Sequence, residues 1–342
     1  MRKKEILAIA LDRLLPDSVL PTIFGCFSNS LTVLAYHRVV DFDKESYPFD
    51  DDLVSASSSD FEFQVKYIKK YFNPITMEQL IKHVEHNLSL PKRALLLTFD
   101  DGFDDNYFAA FPILKKLDVP ATIFVSTGFI DTEEIIWFDK LSALILAFEG
   151  SSIFLDELGK TYQLGNDKAS RCEVVADILY DIKRISNNQR LSLLDNLNSQ
   201  NVKVFENIDR GESRMMNWQQ VREMNDSIIS FGSHTVSHPI LSKLNKTQLK
   251  YELVESKSVL EKELGSVVGS ISYPDGNEEA FSESIIEQVK KADYKVAFSY
   301  IAGTNKFPLK DLYAIKRLHV EHYMSRSHFK ALLCVPEIFR EH

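Results

Sequence analysis

Cysteine is scarce in this chain of 342 residues: it occurs three times, at positions far apart, with no Cys-x-x-Cys spacing. Neither a disulfide framework nor a zinc site made of cysteines is expected from this pattern, which suits a reducing compartment. A run of about 20 apolar residues, the length of a membrane-spanning helix, is also missing. Basic residues are outnumbered by acidic ones, 40 to 49, and form no stripe, which argues against nucleic acid as a partner.

The amino-terminal segment begins with Met-Arg-Lys-Lys, as a signal peptide can, but its apolar run 6–11 stops at Asp12 and Arg13 and no small-residue cleavage site follows. We therefore expect a cytoplasmic protein. Residues 1–30 are expected to form a helical segment ahead of the main domain. An amphipathic helix within residues 1–25 would lie either on the main domain or, as a peripheral contact, on the surface of the inner membrane.

Short apolar and β-branched runs alternate with amphipathic stretches along the rest of the chain. The runs predicted to be strands are 32–36, 95–99, 121–125, 228–231, 270–273, 295–299 and 314–318, and the helical stretches include 61–71, 106–116, 246–264 and 278–291. Strands that alternate with helices pair in parallel, and seven units fit a closed barrel better than an open sheet. The sequence thus predicts an α/β fold, a (β/α)7-type barrel over residues 31–335, with its site at the carboxyl ends of the strands.

One segment, about 131–217, interrupts this alternation. It has no clear strand–helix unit of the same kind and is rich in polar helix formers between 168 and 198. We interpret it as a helical insertion. It would form either a cap on the flank of the barrel or a wall of a substrate groove, and the flank is preferred because insertions in surface loops cost little stability.

The strongest chemical signal is LLLTFDDG (95–102), an apolar strand that ends in two adjacent carboxylates and a glycine. Neighbouring side chains at a strand end point in different directions, so one of Asp100 and Asp101 can bind a metal while the other faces a bound water. The alternative is a plain strand-ending turn, followed by a helix that Asp104 or Asp105 caps.

The second signal is GSHTVSHP (232–239), which directly follows another predicted strand. His234 and His238 present both rings to one side if the backbone between them makes a helical turn, which Pro239 would end. Two imidazoles and one carboxylate provide three protein ligands and leave positions open for water and substrate, as a catalytic metal site requires. Either histidine alone would more often be a surface or core residue.

These two motifs resemble the first two motifs of the polysaccharide deacetylases (NodB-homology, carbohydrate esterase family 4). The likeness extends along most of the chain and includes LAYHRV (34–39), NW (217–218), SYPDG (272–276) and AIKRL (314–318). The segment SYPDG (272–276) is similar to the third motif of a sub-type that carries Tyr-Pro-x-Gly there. The resemblance implies a distorted (β/α) barrel that removes acetyl groups from N-acetylated, or in some members O-acetylated, sugars of a polysaccharide or glycan precursor by metal-assisted hydrolysis.

The resemblance also implies roles for individual residues. Asp100 becomes the general base, and Asp101, His234 and His238 become the metal ligands. The backbone N–H of Asp275, after the proline of the third motif, becomes the donor to the oxyanion, with a glycine beside it that allows the turn. Zinc is the expected metal, although cobalt, nickel and manganese suit the same ligands.

Two parts of the family pattern are absent. Ser272 stands where the family commonly has an arginine that orients the base, and Arg317 is the candidate replacement. The last family motif, Leu-x-His, supplies a general acid and does not occur in the final predicted strand. His319 is the candidate for that acid, on the same strand face as Arg317, and a polar strand-end residue without a catalytic role is nearly as well supported. His322 is a weaker alternative.

Weaker indications concern the substrate. His37 follows the first predicted strand and so reaches the site face, where it would contact substrate or help to protonate the leaving group. A hydrogen-bonded structural histidine is at least as well supported. Tyr273 and Trp218 are candidate substrate-binding residues. Trp137 and Phe138 offer further stacking surfaces for a sugar, but scattered aromatic residues more often belong to the core.

Three functions therefore stay open. The first is a metal-dependent deacetylase of an acetylated glycan, and the second is a related hydrolase that cleaves the C–N bond of a non-sugar amide. The third is a catalytically silent glycan-binding module on the same fold. It is disfavoured because degenerate sites tend to lose ligands, whereas Asp100, Asp101, His234 and His238 are all present.

Overall fold

The computed structural model describes residues 2–15, 19, 29–49, 51–200, 214–225 and 227–340. Parts of the predicted segments 1–30 and 131–217 therefore lie outside the described residues. The strands are β1 (Ser30–Tyr36), β2 (Arg38–Val39), β3 (Val54–Ala56), β4 (Asn73–Pro74), β5 (Ala94–Phe99), β6 (Ala121–Val125), β7 (Ser152–Leu155), β8 (Lys160–Gln163), β9 (Ile229–Ser233), β10 (Ser270–Ser272), β11 (Val296–Ala302), β12 (Asn305–Lys306) and β13 (Ile315–His319). The helices are α1 (Arg2–Leu14), α2 (Ser58–Tyr71), α3 (Met77–His86), α4 (Phe111–Leu117), α5 (Trp137–Leu146), α6 (Lys168–Ile182), α7 (Asn187–Gln200), α8 (Trp218–Asn225), α9 (Lys246–Leu264), α10 (Glu283–Lys291), α11 (Arg326–Cys334) and α12 (Pro336–Phe339).

Seven strands form a closed parallel barrel in the order β1–β13–β11–β10–β9–β6–β5, and β5 pairs with β1 to complete the ring. Each overlaps one of the seven predicted strands, so the predicted (β/α)7-type barrel is confirmed. One distortion is a register shift between β11 and β13, between Phe298 and Ala302. The short strands β12 and β4 extend the sheet outside the ring, beside β1 and β5 respectively.

Strands β1 and β5 are buried along their whole length, which explains why both are nearly unbroken apolar runs. Helix α9 is part of the layer outside the ring, with Leu249, Leu253 and Leu260 buried on one face. Its bounds match the predicted 246–264. The side chain of Asn245 caps its first turn, and Gly265, with φ 64°, ends it in the left-handed conformation.

Two predicted helices differ from the structure in their first turns. The helix predicted over 106–116 begins with a π-helical turn, Asn106–Ala110, before α4. The helix predicted over 278–291 begins only at Glu283. There the Asn277 side chain accepts the backbone N–H groups of Glu279 and Ala280, so these residues form a turn ahead of the helix.

Between β6 and β9 the chain adds α5, an antiparallel hairpin of β7 and β8, and then α6 and α7. The hairpin was not predicted, because each of its strands has only four residues in which to show alternation. Helix α5 anchors the insertion, since Leu141, Leu144 and Ile145 are fully buried in the main core. Residues 201–213 of the predicted insertion lie outside the described residues.

Helix α1 packs against α11. Ala8 is fully buried, the Glu5 carboxylate lies 3.1 Å from Nδ1 of His328, and the Asp12 carboxylate lies 2.9 Å from the Lys330 ammonium. The helix thus contacts the main domain, which is one of the two placements considered for it. In the described part of the chain, no helix combines the length and the hydropathy that crossing a membrane requires.

Candidate active site

A cavity of about 480 Å³ opens at the carboxyl ends of the barrel strands. Because the strands of the ring are parallel, residues that end or follow them meet at the same edge. The lining residues that the sequence singled out as site residues are His37, Asp100, Asp101, His234, His238, Tyr273, Asp275 and His319.

Asp101, His234 and His238 form a compact buried cluster, in which one ligand atom from each lies within 4.8 Å of the others. Oδ1 of Asp101 lies 3.2 Å from Nε2 of His238 and 3.5 Å from Nε2 of His234. Both oxygens of Asp101 are buried, yet neither has a hydrogen-bond partner among the described residues. Burying a carboxylate without donors is costly unless a cation lies beside it. The cluster therefore fits a divalent metal ion with one carboxylate and two imidazole ligands.

The protonation of the two histidines suits the same ion. Nδ1 of His234 lies 2.8 Å from the backbone oxygen of Ser272, so Nδ1 carries the proton and Nε2 offers a lone pair on the side of Asp101. Burial lowers the pKa of His234 to about 4 and that of His238 to about 3. Burial raises the pKa of Asp101, and the neighbouring Asp100 charge adds to that rise. Neutral imidazoles are the form that binds a metal.

The loop between the two histidines does not form the helical turn that was considered for it. Thr235 and His238 adopt left-handed conformations, with φ 70° and 53°, and the segment contains no helix. A β-branched residue is strained in that region. The loop is held by the Glu252 carboxylate, which accepts the backbone N–H groups of Val236 and Ser237 and the Ser237 hydroxyl. The two imidazole centroids nevertheless lie 4.7 Å apart.

Asp100 lies beside this cluster and is held by Arg317. Two guanidinium nitrogens donate to different oxygens of the carboxylate, over 2.8 and 2.7 Å, and the Ser272 hydroxyl donates over 3.2 Å. Burial alone would raise the pKa of Asp100, but the charge and hydrogen bonds of Arg317 hold that pKa well below its ordinary value. Asp100 is therefore an anion, and the arginine beside it comes from β13.

The turn after β10 places Asp275 at the cavity. Asp275 and Gly276 are both left-handed, with φ 63° and 56°. A Cβ at position 276 would lie 2.5 Å from the backbone nitrogen of Tyr300, so only glycine fits there. The Asp275 carboxylate is bound by the Lys183 ammonium over 2.5 Å and by the Asn277 amide over 2.7 Å. Its backbone N–H has no acceptor among the residues that the structure describes.

Two further histidines line the cavity, and both contact the ring of Tyr300. The His319 ring stacks on it at a centroid distance of 3.6 Å, and the His37 ring lies 5.5 Å away. Nε2 of His319 is buried and has no hydrogen-bond partner in the described part of the chain. Burial, and then the charge of Arg317, lowers the pKa of His319 to about 3. Burial also lowers the pKa of His37, although the nearby carboxylates oppose this shift.

Two candidates from the sequence lie elsewhere. Trp218 begins α8, packs half-buried against the hydrophobic core and does not line the cavity, so the predicted substrate contact is not supported. His322 is not a lining residue either, because its Nδ1 lies against the backbone oxygen of Val54 at 3.2 Å. Tyr273 does line the cavity, while its hydroxyl donates to the backbone oxygen of Tyr313.

The insertion forms one wall of the cavity. Trp137 and Phe138 at the start of α5, Leu179 in α6 and Lys183 just after α6 all belong to the lining. This part of the insertion therefore forms a wall of the cavity, as the second alternative predicted. The preferred placement of the insertion on the flank of the barrel was wrong for these residues. Leu179 and Lys183 were not predicted as site residues. No motif marks them, because their approach to the site depends on how the insertion packs.

Comparison with known proteins supports the likeness seen in the motifs. A family model described as polysaccharide deacetylase matches residues 87–167 and 175–297. The poly-beta-1,6-N-acetyl-D-glucosamine N-deacetylase of Staphylococcus aureus (strain MSSA476) is 29% identical over 183 residues, which are 48% of this chain and 62% of the relative. The chain thus spans about three-fifths of the length of the curated relatives that it matches first.

Solved structures share the fold. The Streptococcus pyogenes deacetylase PplD, in complex with acetate, superposes with a TM-score of 0.58 at 20% identity, over 91% of this chain and 99% of that one. IcaB from Ammonifex degensii superposes with a TM-score of 0.55 at 17% identity, over 89% of this chain and 95% of that one. At these identities the likeness concerns the fold alone.

Proposed function

This chain belongs to the polysaccharide deacetylase family, and on that premise we propose that it hydrolyses the acetyl group from an N-acetylated sugar of a polysaccharide or glycan precursor. The observation that carries the proposal is the buried cluster of Asp101, His234 and His238 beside the Asp100 carboxylate, in a cavity at the carboxyl ends of the barrel. The Staphylococcus aureus relative is named an N-deacetylase of poly-N-acetylglucosamine, which supports this class of substrate.

Asp101, His234 and His238 would hold the metal ion. When bound, such an ion supplies Lewis-acid polarisation of the acetyl carbonyl and lowers the pKa of the attacking water. Imidazole nitrogens and a carboxylate oxygen suit zinc, which we propose as the ion, and cobalt, nickel and manganese overlap with it in affinity and geometry.

Asp100 is the proposed general base, which accepts a proton from the attacking water. Arg317 keeps this carboxylate ionised and, by donating to both of its oxygens, fixes its orientation. Negative charge that develops on the acetyl oxygen would be met by the backbone N–H of Asp275, which is free of other acceptors among the described residues.

The leaving amine needs a proton, and His319 is the proposed donor. Its Nε2 is buried at the cavity without a partner in the described chain. Because burial keeps the imidazole neutral, with a pKa of about 3, His319 must gain a proton before it donates one. The proton that Asp100 takes from water is the proposed source. His37 lies in the same cavity and is the competing donor.

Acetate release from N-acetylglucosamine oligomers, measured together with metal content by elemental analysis, tests this proposal. Wild-type protein is expected to carry about one divalent ion per chain and to release acetate, and the His234→Ala/His238→Ala double variant is expected to do neither. Metal-loaded wild type that binds the oligomers without releasing acetate would indicate the glycan-binding module instead. Turnover of non-sugar amides alone would indicate the amide hydrolase.

A further inference from the structure

Trp137, the first residue of α5, contacts His238 from the side of the insertion. Its indole N–H donates to the backbone oxygen of His238 over 2.9 Å and lies 3.3 Å from Nδ1 of the same residue. The two ring centroids are 6.4 Å apart. His238 is left-handed, with φ 53°, and precedes Pro239. A residue before proline normally adopts an extended backbone, so this conformation needs support from its surroundings.

Trp137 is held in turn by α7. The guanidinium of Arg190 lies over the indole, with its carbon 4.8 Å from the ring centroid. The Asn187 side-chain oxygen accepts two of the guanidinium N–H groups, over 3.0 and 2.7 Å, which fixes the plane of the cation. Arg190 is only 4% exposed. A cation removed from water in this way is attracted more strongly to an indole face than an exposed one.

The rest of the histidine loop is supported differently. Glu252 of α9 binds the backbone of Val236 and Ser237, in the middle of the loop. At the end of the loop, the Thr235 hydroxyl accepts the backbone N–H of His238 over 3.1 Å. The carbonyl of His238 is bound by Trp137. The barrel thus secures one side of this residue, and the insertion secures the other.

We propose that Trp137 is a positioning residue for the metal ligand His238, and that the insertion, through Trp137 and Arg190, sets the metal affinity of the barrel. The inference rests on the proposed function in one respect, that His238 binds a metal ion. Without the indole N–H, the His238 backbone is free to leave its strained conformation and turn its ring away from Asp101. Metal binding then weakens although every ligand is still present, as is usual when a partner of a ligand is lost.

Titration of the metal-free protein with Zn²⁺, in competition with a chromophoric chelator, measures this affinity. Trp137→Phe keeps an aromatic ring but removes the donor, and it is expected to raise the Kd for Zn²⁺ by about 10-fold or more. The chain has two tryptophans, so Trp218→Phe is a matched control, the same change at a residue that does not line the cavity. Its Kd is expected to equal that of wild type.

Tryptophan fluorescence adds a readout that does not depend on turnover. In Trp218→Phe the remaining tryptophan is Trp137, and Zn²⁺ is expected to change its emission. In Trp137→Phe the remaining tryptophan is Trp218, and no change is expected. Should Trp137→Phe fail to fold, Arg190→Met takes its place in the titration, with weaker Zn²⁺ binding expected.

A folded Trp137→Phe, or failing that Arg190→Met, that binds Zn²⁺ as tightly as wild type overturns the inference. If wild-type protein binds neither Zn²⁺ nor cobalt, nickel or manganese, the result contradicts instead the metal centre of the proposed function. The two failures are therefore distinguishable in one series of titrations.

Discussion

Arg317 donates to both oxygens of Asp100, through Nη1 over 2.8 Å and through Nη2 over 2.7 Å, across a separation of 217 residues in the sequence. Arg317 is fully buried, and its Nε donates to the backbone oxygen of Ser299 over 2.8 Å. The guanidinium is thus bound along two edges. It fixes the carboxylate plane, and its charge holds the pKa of Asp100 below the ordinary value against the opposing effect of burial.

Replacement of Asp100 by Asn is expected to lower kcat for acetate release by at least about 100-fold, because general-base catalysis contributes that much. Metal content should stay unchanged, since Asp100 is not part of the ligand cluster. Acetate release and elemental analysis measure the two effects. Asp118→Asn is the matched control, at an exposed position after α4, and should behave as wild type. If Asp100→Asn turned over as fast as wild type, Asp100 would not be the general base.

Arg317→Lys keeps the positive charge but cannot donate to both carboxylate oxygens in the same planar geometry. We expect kcat to fall by about 10-fold or more while KM changes little, because the residue orients the base and does not line the cavity. Arg317→Met would leave a buried carboxylate unpaired and should lower the free energy of unfolding by about 3–5 kcal/mol. Steady-state kinetics and urea unfolding measure these effects. An unchanged kcat in Arg317→Lys would mean that charge alone suffices.

Gly276→Ala tests the turn that presents the Asp275 backbone. The new Cβ would meet the Tyr300 backbone nitrogen at 2.5 Å, so the turn must shift, and strain of about 1–3 kcal/mol is expected together with a lower kcat. Gly265→Ala is the control, because it has a similar φ of 64° but no atom within 4 Å of the added Cβ. It should lose stability and keep its kcat. Equal kcat in both variants would argue against Asp275 as the oxyanion donor.

His319→Gln and His37→Gln distinguish the two candidate acids. Loss of the true acid should lower kcat on an N-acetylated sugar by about 100-fold or more. The same variant should lose much less activity on 4-nitrophenyl acetate, whose leaving group departs without a proton. We expect this pattern in His319→Gln and a smaller, substrate-independent loss in His37→Gln. The reverse order would assign the acid to His37.

The raised pKa of Asp104 predicts that the stability of the protein depends on pH. Burial raises its pKa to about 7, and the neighbouring Asp105 charge adds to the rise. An unfolded aspartate has a pKa of about 3.9, so the folded state binds more protons between these values and loses stability as the pH rises through them. Asp104→Asn has no such loss. The free energy of unfolding of Asp104→Asn, relative to that of wild type, should therefore increase between pH 5 and pH 8. The expected increase is on the order of 1 kcal/mol after allowance for solvent screening.

Urea unfolding of the metal-free protein at the two pH values measures this difference, and Asp118→Asn again provides the control, with no growth expected. An Asp104→Asn advantage that is the same at pH 5 and pH 8 would contradict the pKa assigned to Asp104.

Most of the fold was predictable because its signals are local. A barrel strand that is covered on both faces, such as β5, must be apolar throughout, and a helix such as α9 must repeat leucine at helical spacing. The β7–β8 hairpin was missed because it is short and packs within the insertion. The left-handed Thr235 was missed because contacts with Glu252 help to hold the loop that follows it.

The residues at the carboxyl ends of the strands follow from local pattern alone, because strand periodicity and adjacency place Asp100, Asp101 and His234 there however the strands pair. The residues that surround these three depend instead on how distant segments pack. Trp137 and Lys183 come from the insertion, whose path carries no motif, and they reach His238 and Asp275 through packing between distant segments. The pattern of a strand is a property of its own residues, whereas the neighbours of a site depend on the packing of the whole chain.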